Sequence, residues 1–200
     1  MGYSTILDII GSVIIGGLIM LILFRLSDAA SKNTYNNSEE YSVQTYLTTI
    51  VGIIEYDFRK IGYNADYTKT LPPNSTFILS AGLNSISFLT DANSDSTYDT
   101  LSYYIGTTSE LASTPNPNDR YLYRQASGKP PQPINVGLTE FRLSYFDAVG
   151  NQLTLPITNC GQISTIEINV EVEDPEAYNG EYVSAFWRQI RLAARNLSNR

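Results

Sequence analysis

Residues 3–24 form a 22-residue run whose only charged side chain is Asp8. At a rise of about 1.5 Å per residue, a helix of that length matches the roughly 30 Å hydrocarbon core of a bilayer. The run therefore predicts a transmembrane helix over about residues 3–26. A secretory signal peptide is the competing reading, but it requires a basic leading region, a shorter apolar stretch and a small-residue cleavage site. No Lys or Arg precedes the run, and the run is too long. Gly11, Gly16 and Gly17 lower helix propensity, yet small residues let membrane helices approach one another closely. Asp8 has two readings. An ionisable group within a membrane segment is expensive and marks a functional site; alternatively, it lies near enough to the interface to stay solvated at a helix N-terminus.

A polar stretch rich in Asn and Ser follows over residues 27–38, without proline. Beyond it, Val43, Leu47, Ile50, Ile54, Phe58 and Ile61 recur at steps of three and four, which places all six on one stripe of a helix. Glu55, Asp57, Arg59 and Lys60 fall mostly off that stripe, and Gly62 supplies a C-cap signal. If the Asn-rich stretch does not break it, one helix runs from the apolar segment to Ile61, apolar all round in its first half and on one face in its second. The expected division is residues 1–62 as the long helix and 63–200 as a globular head.

After Gly62 the hydrophobic period shortens to two. Residues 85–91 and 99–105 alternate, with Ile86 and Phe88 facing Leu101, Tyr103 and Ile105 in a hairpin. Phe141, Leu143 and Tyr145 mark another strand before a turn at residues 147–151. Ile166, Ile168, Val170 and Val172 alternate with Glu167, Asn169, Glu171 and Glu173, which predicts a strand with one wet face, and residues 182–192 are its expected antiparallel partner. Residues 107–119 and 127–135 carry five prolines between them and are expected to be loops, either connections or binding segments. The predicted fold class is α+β, a long N-terminal helix packed on an antiparallel β-sheet head.

Composition removes several kinds of chemistry. The chain has no histidine, which excludes Ser/His/Asp or Cys/His catalysis, an imidazole base and His-ligated metals. A single cysteine, Cys160, excludes an intrachain disulfide. A net charge of -7 argues against nucleic acid as a partner. No cofactor is expected, with calcium as the one exception. Asp91, Asn93, Asp95 and Asp99 set oxygen ligands at mostly alternate positions of a loop, as calcium requires, although Ser96 stands where an EF-hand loop has glycine. The competing reading is that these side chains make Asx-turns in a hairpin loop. The pairs Glu171/Glu173 and Glu39/Glu40 read as solvated faces rather than acid/base machinery. Arg188, Arg191, Arg195 and Arg200 make the end of the chain basic, suited to pairing with the acidic strand or a neighbouring subunit.

An apolar helix with one carboxylate near its start, continuing into an amphipathic half, resembles the type IV pilin and pseudopilin superfamily. The phrases Ile54-Glu-Tyr-Asp-Phe-Arg-Lys-Ile-Gly-Tyr63, Ile86-Ser-Phe-Leu-Thr-Asp91, and residues 138–150 and 190–197 are similar to its larger minor-pilin branch. The resemblance implies cleavage by a prepilin peptidase between Gly2 and Tyr3 and methylation of the new N-terminus. Asp8 would then stand at the sixth mature position and neutralise a neighbouring subunit's terminal amine, where the family has Glu at the fifth. The family's Phe-Thr-Leu-Ile-Glu phrase has no counterpart here. Arg25 and Lys32 follow the run and no cation precedes it, a distribution that the positive-inside rule does not associate with an exported head. The expected function is a non-enzymatic filament subunit, held in the inner membrane before joining other pilin subunits or copies of itself in an extracellular filament or periplasmic pseudopilus. The alternative is a bitopic envelope protein whose head binds calcium or a ligand without polymerising.

Overall fold

A computed structural model describes residues 2–69, 71, 75–177 and 181–192. Its elements follow in the order α1 (Gly2–Arg59), β1 (Ile78–Ala81), β2 (Ser85–Thr90), β3 (Asp99–Ile105), β4 (Arg120–Ala126), β5 (Gln132–Phe146), β6 (Thr165–Glu173) and β7 (Ser184–Leu192). The fold is α+β, as the sequence predicts. The Asn-rich stretch does not interrupt α1, which runs 58 residues without a break. Two compact units meet inside that helix, one ending at Tyr41 and the other beginning at Ser42.

In the first unit the apolar side chains from Tyr3 to Leu26 have no core of their own: Ile6, Ile14, Leu21 and Phe24 are all more than half exposed. Hydroxyls reinforce the helix locally, Ser12 donating to the Asp8 carbonyl at 2.7 Å and Thr34 to that of Ala30 at 3.0 Å.

The second unit contains the hydrophobic core. All six residues of the expected stripe, Val43 to Ile61, are buried. They form one cluster with inward side chains of the sheet, among them Phe88, Leu101, Phe141 and Val170. Phe58 sits near the centre, its ring 5.5 Å from those of both Phe88 and Tyr103. The helix unwinds after Arg59 through tight turns. Gly62 takes a left-handed φ of 73° and donates its N–H to the Leu89 carbonyl at 2.8 Å. A residue without Cβ is favoured where the chain reverses in this conformation.

The seven strands form one antiparallel sheet in sequence order, β1-β2-β3-β4-β5-β6-β7. The hairpin of β2 and β3 has Ile86 opposite Tyr103 and Phe88 opposite Leu101. The turn after β5 forms where expected, with the Asp147 carboxylate accepting the N–H groups of Val149 and Asn151 at 2.9 and 2.8 Å. β6 spans the predicted residues, and β7 pairs with it antiparallel.

Two expectations need correction. Residues 127–135 are not wholly a loop, because β5 starts at Gln132 and Pro133 pairs with Tyr123 of β4. Proline is tolerated there because β6 joins β5 only from Leu138 onward, leaving this end of β5 with a neighbour on one side. The change of partner occurs at a bulge, where Gly137 has a φ of 66° and an added Cβ would lie 2.1 Å from the Glu173 carbonyl oxygen. The second correction concerns β6, whose outer face is not fully wet. Glu167 is buried, and Glu171 and Glu173 are half-buried. Two strands had no counterpart in the sequence reading. β1 is only four residues long, and in β4 only Leu122 is buried, with Arg124 two positions on, so a single apolar residue remains to signal alternation.

Candidate functional site

The apolar half of α1 is the first candidate. It is long and apolar enough to cross a membrane, and none of its apolar window is buried within the protein. Such a surface is unstable in water, since roughly 25 cal/mol is at stake for every Å² of apolar area left wet. Such a segment suits a membrane anchor or a signal sequence. Asp8 lies on this segment, exposed, a turn and a half in from Gly2. Gly2 and Tyr3 are already helical, with the Gly2 carbonyl accepting the Thr5 hydroxyl at 3.0 Å.

The acidic loop between β2 and β3 is the second. Asp91 is fully buried, and its carboxylate accepts three backbone N–H groups: Ala65 at 3.0 Å, Asp95 at 3.1 Å and Ser96 at 2.9 Å. Burial by itself would push this carboxyl up, but the backbone donors outweigh it and hold it below the ordinary carboxylate range. Asp95 accepts from the hydroxyl and backbone N–H of Thr97 and, at 2.9 Å, from the Asn93 amide. Those bonds, the Thr97 hydroxyl foremost, lower its carboxyl too. Asn93 in turn accepts from the Asp95 N–H at 3.1 Å. Asp99 is outside this network and opens β3 opposite Thr90. The sequence thus left two readings, and the hydrogen bonds describe Asx-turns. The structure brings Asp91, Asn93 and Asp95 together around backbone donors. Among the described residues, no group of three or more acidic or cysteine side chains is arranged to hold a metal ion. The loop is anchored to the turn before it by Lys69, whose ammonium donates to the Ser96 carbonyl.

A third constellation escaped sequence reasoning. Asp57, expected off the buried stripe of α1, is 4% exposed. Its carboxylate accepts the Tyr103 hydroxyl and both a 2.6 Å and a 3.3 Å bond from the Arg124 guanidinium. Burial, and then the adjacent Asp57 charge, push the Tyr103 phenol far up, so it remains a donor at any ordinary pH. The Asp57 bonds likewise hold the Arg124 guanidinium in its charged form. Three elements, α1, β3 and β4, are tied at one point. Only their pairing across the fold could reveal this, because Arg124 is 67 residues from Asp57.

Arg188 behaves as the charge pattern suggests and bonds the acidic strand, 2.8 Å from Glu167. Arg195 and Arg200, and the side chain of Arg191, lie outside the described residues. Cys160 is a free, partly exposed thiol. On the outer side of the sheet a groove of about 450 Å³ is lined by charged and polar groups, including Arg120, Glu140, Arg142 and Glu171. The Arg142 guanidinium is paired with Glu140 at 2.9 Å across its rim.

These features define a class: an α+β protein with an N-terminal helix of membrane-crossing length whose last turns complete an antiparallel sheet head. No family model, no curated protein and no solved structure matches the chain.

Proposed function

We propose that the protein is a non-enzymatic subunit of a type IV pilin-like filament, a minor pilin or pseudopilin. One observation carries this reading: a single unbroken helix supplies an apolar, unburied first segment and also the stripe that closes the head's core. In such a subunit the apolar segment resides in the inner membrane before assembly and is then buried among equivalent helices of neighbouring subunits. The exchange of lipid for protein conserves apolar surroundings, so close packing at Gly11, Gly16 and Gly17 and the neutralisation of Asp8 by a terminal amine would decide the assembled state. Prepilin peptidase would create that amine between Gly2 and Tyr3. The head needs no catalytic centre for this role.

Mass spectrometry of the native N-terminus tests the proposal. A methylated Tyr3 terminus is expected, and an unmodified Met1 counts against it. Immuno-electron microscopy with antibody to the head should decorate filaments. Retention of all the protein in membranes, with no filaments under conditions that express it, would favour the non-polymerising envelope protein instead.

A further inference from the structure

The loop leading into β4 is fastened to the far end of β6 at a place where acidic side chains are buried. Asn116 and Asp119 in the loop are each 1% exposed, and Asp174, just past β6, is 3% exposed. The Asn116 amide donates to Glu173 Oε2 at 2.8 Å and to the Asp174 carbonyl at 3.2 Å. The Tyr182 hydroxyl adds a 3.1 Å bond to the Pro115 carbonyl. Asp119 Oδ1, in contrast, is buried without any hydrogen-bond partner. A buried carboxylate oxygen in that position loses its hydration and gains nothing in exchange. Its neighbours make the cost larger, because Glu173 and Asp174 both act on it as like charges. The nearest cation in sequence, Arg120, has a buried Nε that is itself unpartnered. A metal does not resolve the problem, since no three acidic groups among the described residues converge as a metal site requires.

We propose that a proton held on the buried Asp119 keeps this loop fastened to the end of β6, and that the fastening loosens when the proton leaves. A buried carboxyl with one oxygen unpartnered and like charges nearby is more stable protonated than ionised. As a carboxylic acid, Asp119 carries no buried charge beside the oxygen that nothing donates to. Burial first, and the two like charges after it, push its carboxyl above the ordinary range, while the Thr114 hydroxyl opposes them. A carboxyl raised in the fold contributes stability below its unfolded value and loses it as pH rises through the folded value. The fastening therefore holds in mild acid and weakens toward alkaline pH. Asn118 and Glu173 also line the outer groove, so release of the loop would move one wall of it.

The test uses the full chain in detergent micelles. Asp119→Asn imitates the protonated form and should raise Tm at pH 8 by about 2–4 °C, while leaving Tm near pH 5 almost unchanged. Glu173→Gln, which keeps an acceptor for Asn116, should give a smaller rise in the same direction. Carbon-13 titration of the Asp119 carboxyl should find it above the ordinary aspartate value. An Asp119→Asn protein less stable than the parent at pH 8, or a carboxyl titrating at or below the ordinary value, overturns the proposal. So does stabilisation of the parent by calcium at pH 8 that Asp119→Asn abolishes, which would assign the cluster to a metal.

Discussion

Asp57 ties α1 to β3 and β4 through the Tyr103 hydroxyl and the Arg124 guanidinium. Asp57→Ala leaves Arg124 and the Tyr103 hydroxyl without their shared acceptor, and breaking a buried pair in this way costs roughly 3–5 kcal/mol. Chemical denaturation should show that loss, and Phe58→Ala at the next residue should lose a similar amount through its cavity, about 3–5 kcal/mol. The two differ in a measurable respect: Asp57→Asn, which keeps an acceptor, should recover part of the first loss, whereas no conservative polar change recovers the second. Gly137 is the other sensitive residue. Its left-handed φ and the 2.1 Å approach to the Glu173 carbonyl leave no room for a side chain. Gly137→Ala should therefore destabilise the head while Gly128→Ala, where nothing lies within 4 Å of the added carbon, should cost only the strain of its positive φ.

At the scale of elements, the acid loops respond to pH in opposite senses. Asp91, Asp95 and Asp147 are held below the ordinary carboxylate range, chiefly by hydrogen bonds that oppose burial. A carboxyl lowered in the fold contributes stability above its unfolded value, about 4, and loses it as pH falls through the folded value. Glu171, raised by burial and then by Glu173 and Glu140, works the other way, as Asp119 does. Thermal melting should accordingly show highest stability in mild acid, just above the carboxylate range, with losses on both sides and the steeper one below pH 4. The β2–β3 loop contributes to the acid limb through its backbone donors. Because those donors already occupy Asp91 and Asp95, melting curves in chelator and in millimolar calcium should coincide; a reversible rise with calcium would restore the ion-binding reading of the loop.

The strands differ in how plainly the sequence announces them. β2, β3 and β6 alternate cleanly because each lays an apolar side chain inward at every second position, and their boundaries follow from that period. β4 does not, because Leu122 is its one buried residue and Arg124, two positions on, serves Asp57. The start of β5 is hidden for another reason: proline signals a loop unless a neighbouring strand is missing on one side, and that absence exists only in the assembled sheet.

For the whole molecule, the prediction is a separation of roles along α1. None of its residues before Val43 belongs to the hydrophobic core, whereas the stripe from Val43 to Phe58 does. Removal of residues 2–26 should leave a soluble, cooperatively folding head, measurable by circular dichroism and a sharp thermal transition. Removal through residue 59 should expose the sheet's apolar face and yield an aggregate. Asp8→Ala in the full chain should leave the head's melting unchanged while abolishing recovery of the protein in sheared filament fractions. Normal incorporation of Asp8→Ala would remove Asp8 from the assembly mechanism.

The absence of histidine and the lone cysteine, the 22-residue apolar run, the stripe that follows it and the alternation of β6 are local facts, and local physics converts them directly into excluded chemistries, a membrane-length helix and a strand. What only the tertiary structure decided is where charge is buried. Asp57 joined to Arg124 and Tyr103, Asp91 enclosed by backbone donors, and Asp119 acted on by the charges of Glu173 and Asp174 are each made by residues that meet only when the chain folds. Periodicity records which side chains avoid water. The energy of a buried charge depends instead on the partners that surround it, and among them Arg124 for Asp57 and Ala65 for Asp91 lie tens of residues away along the chain.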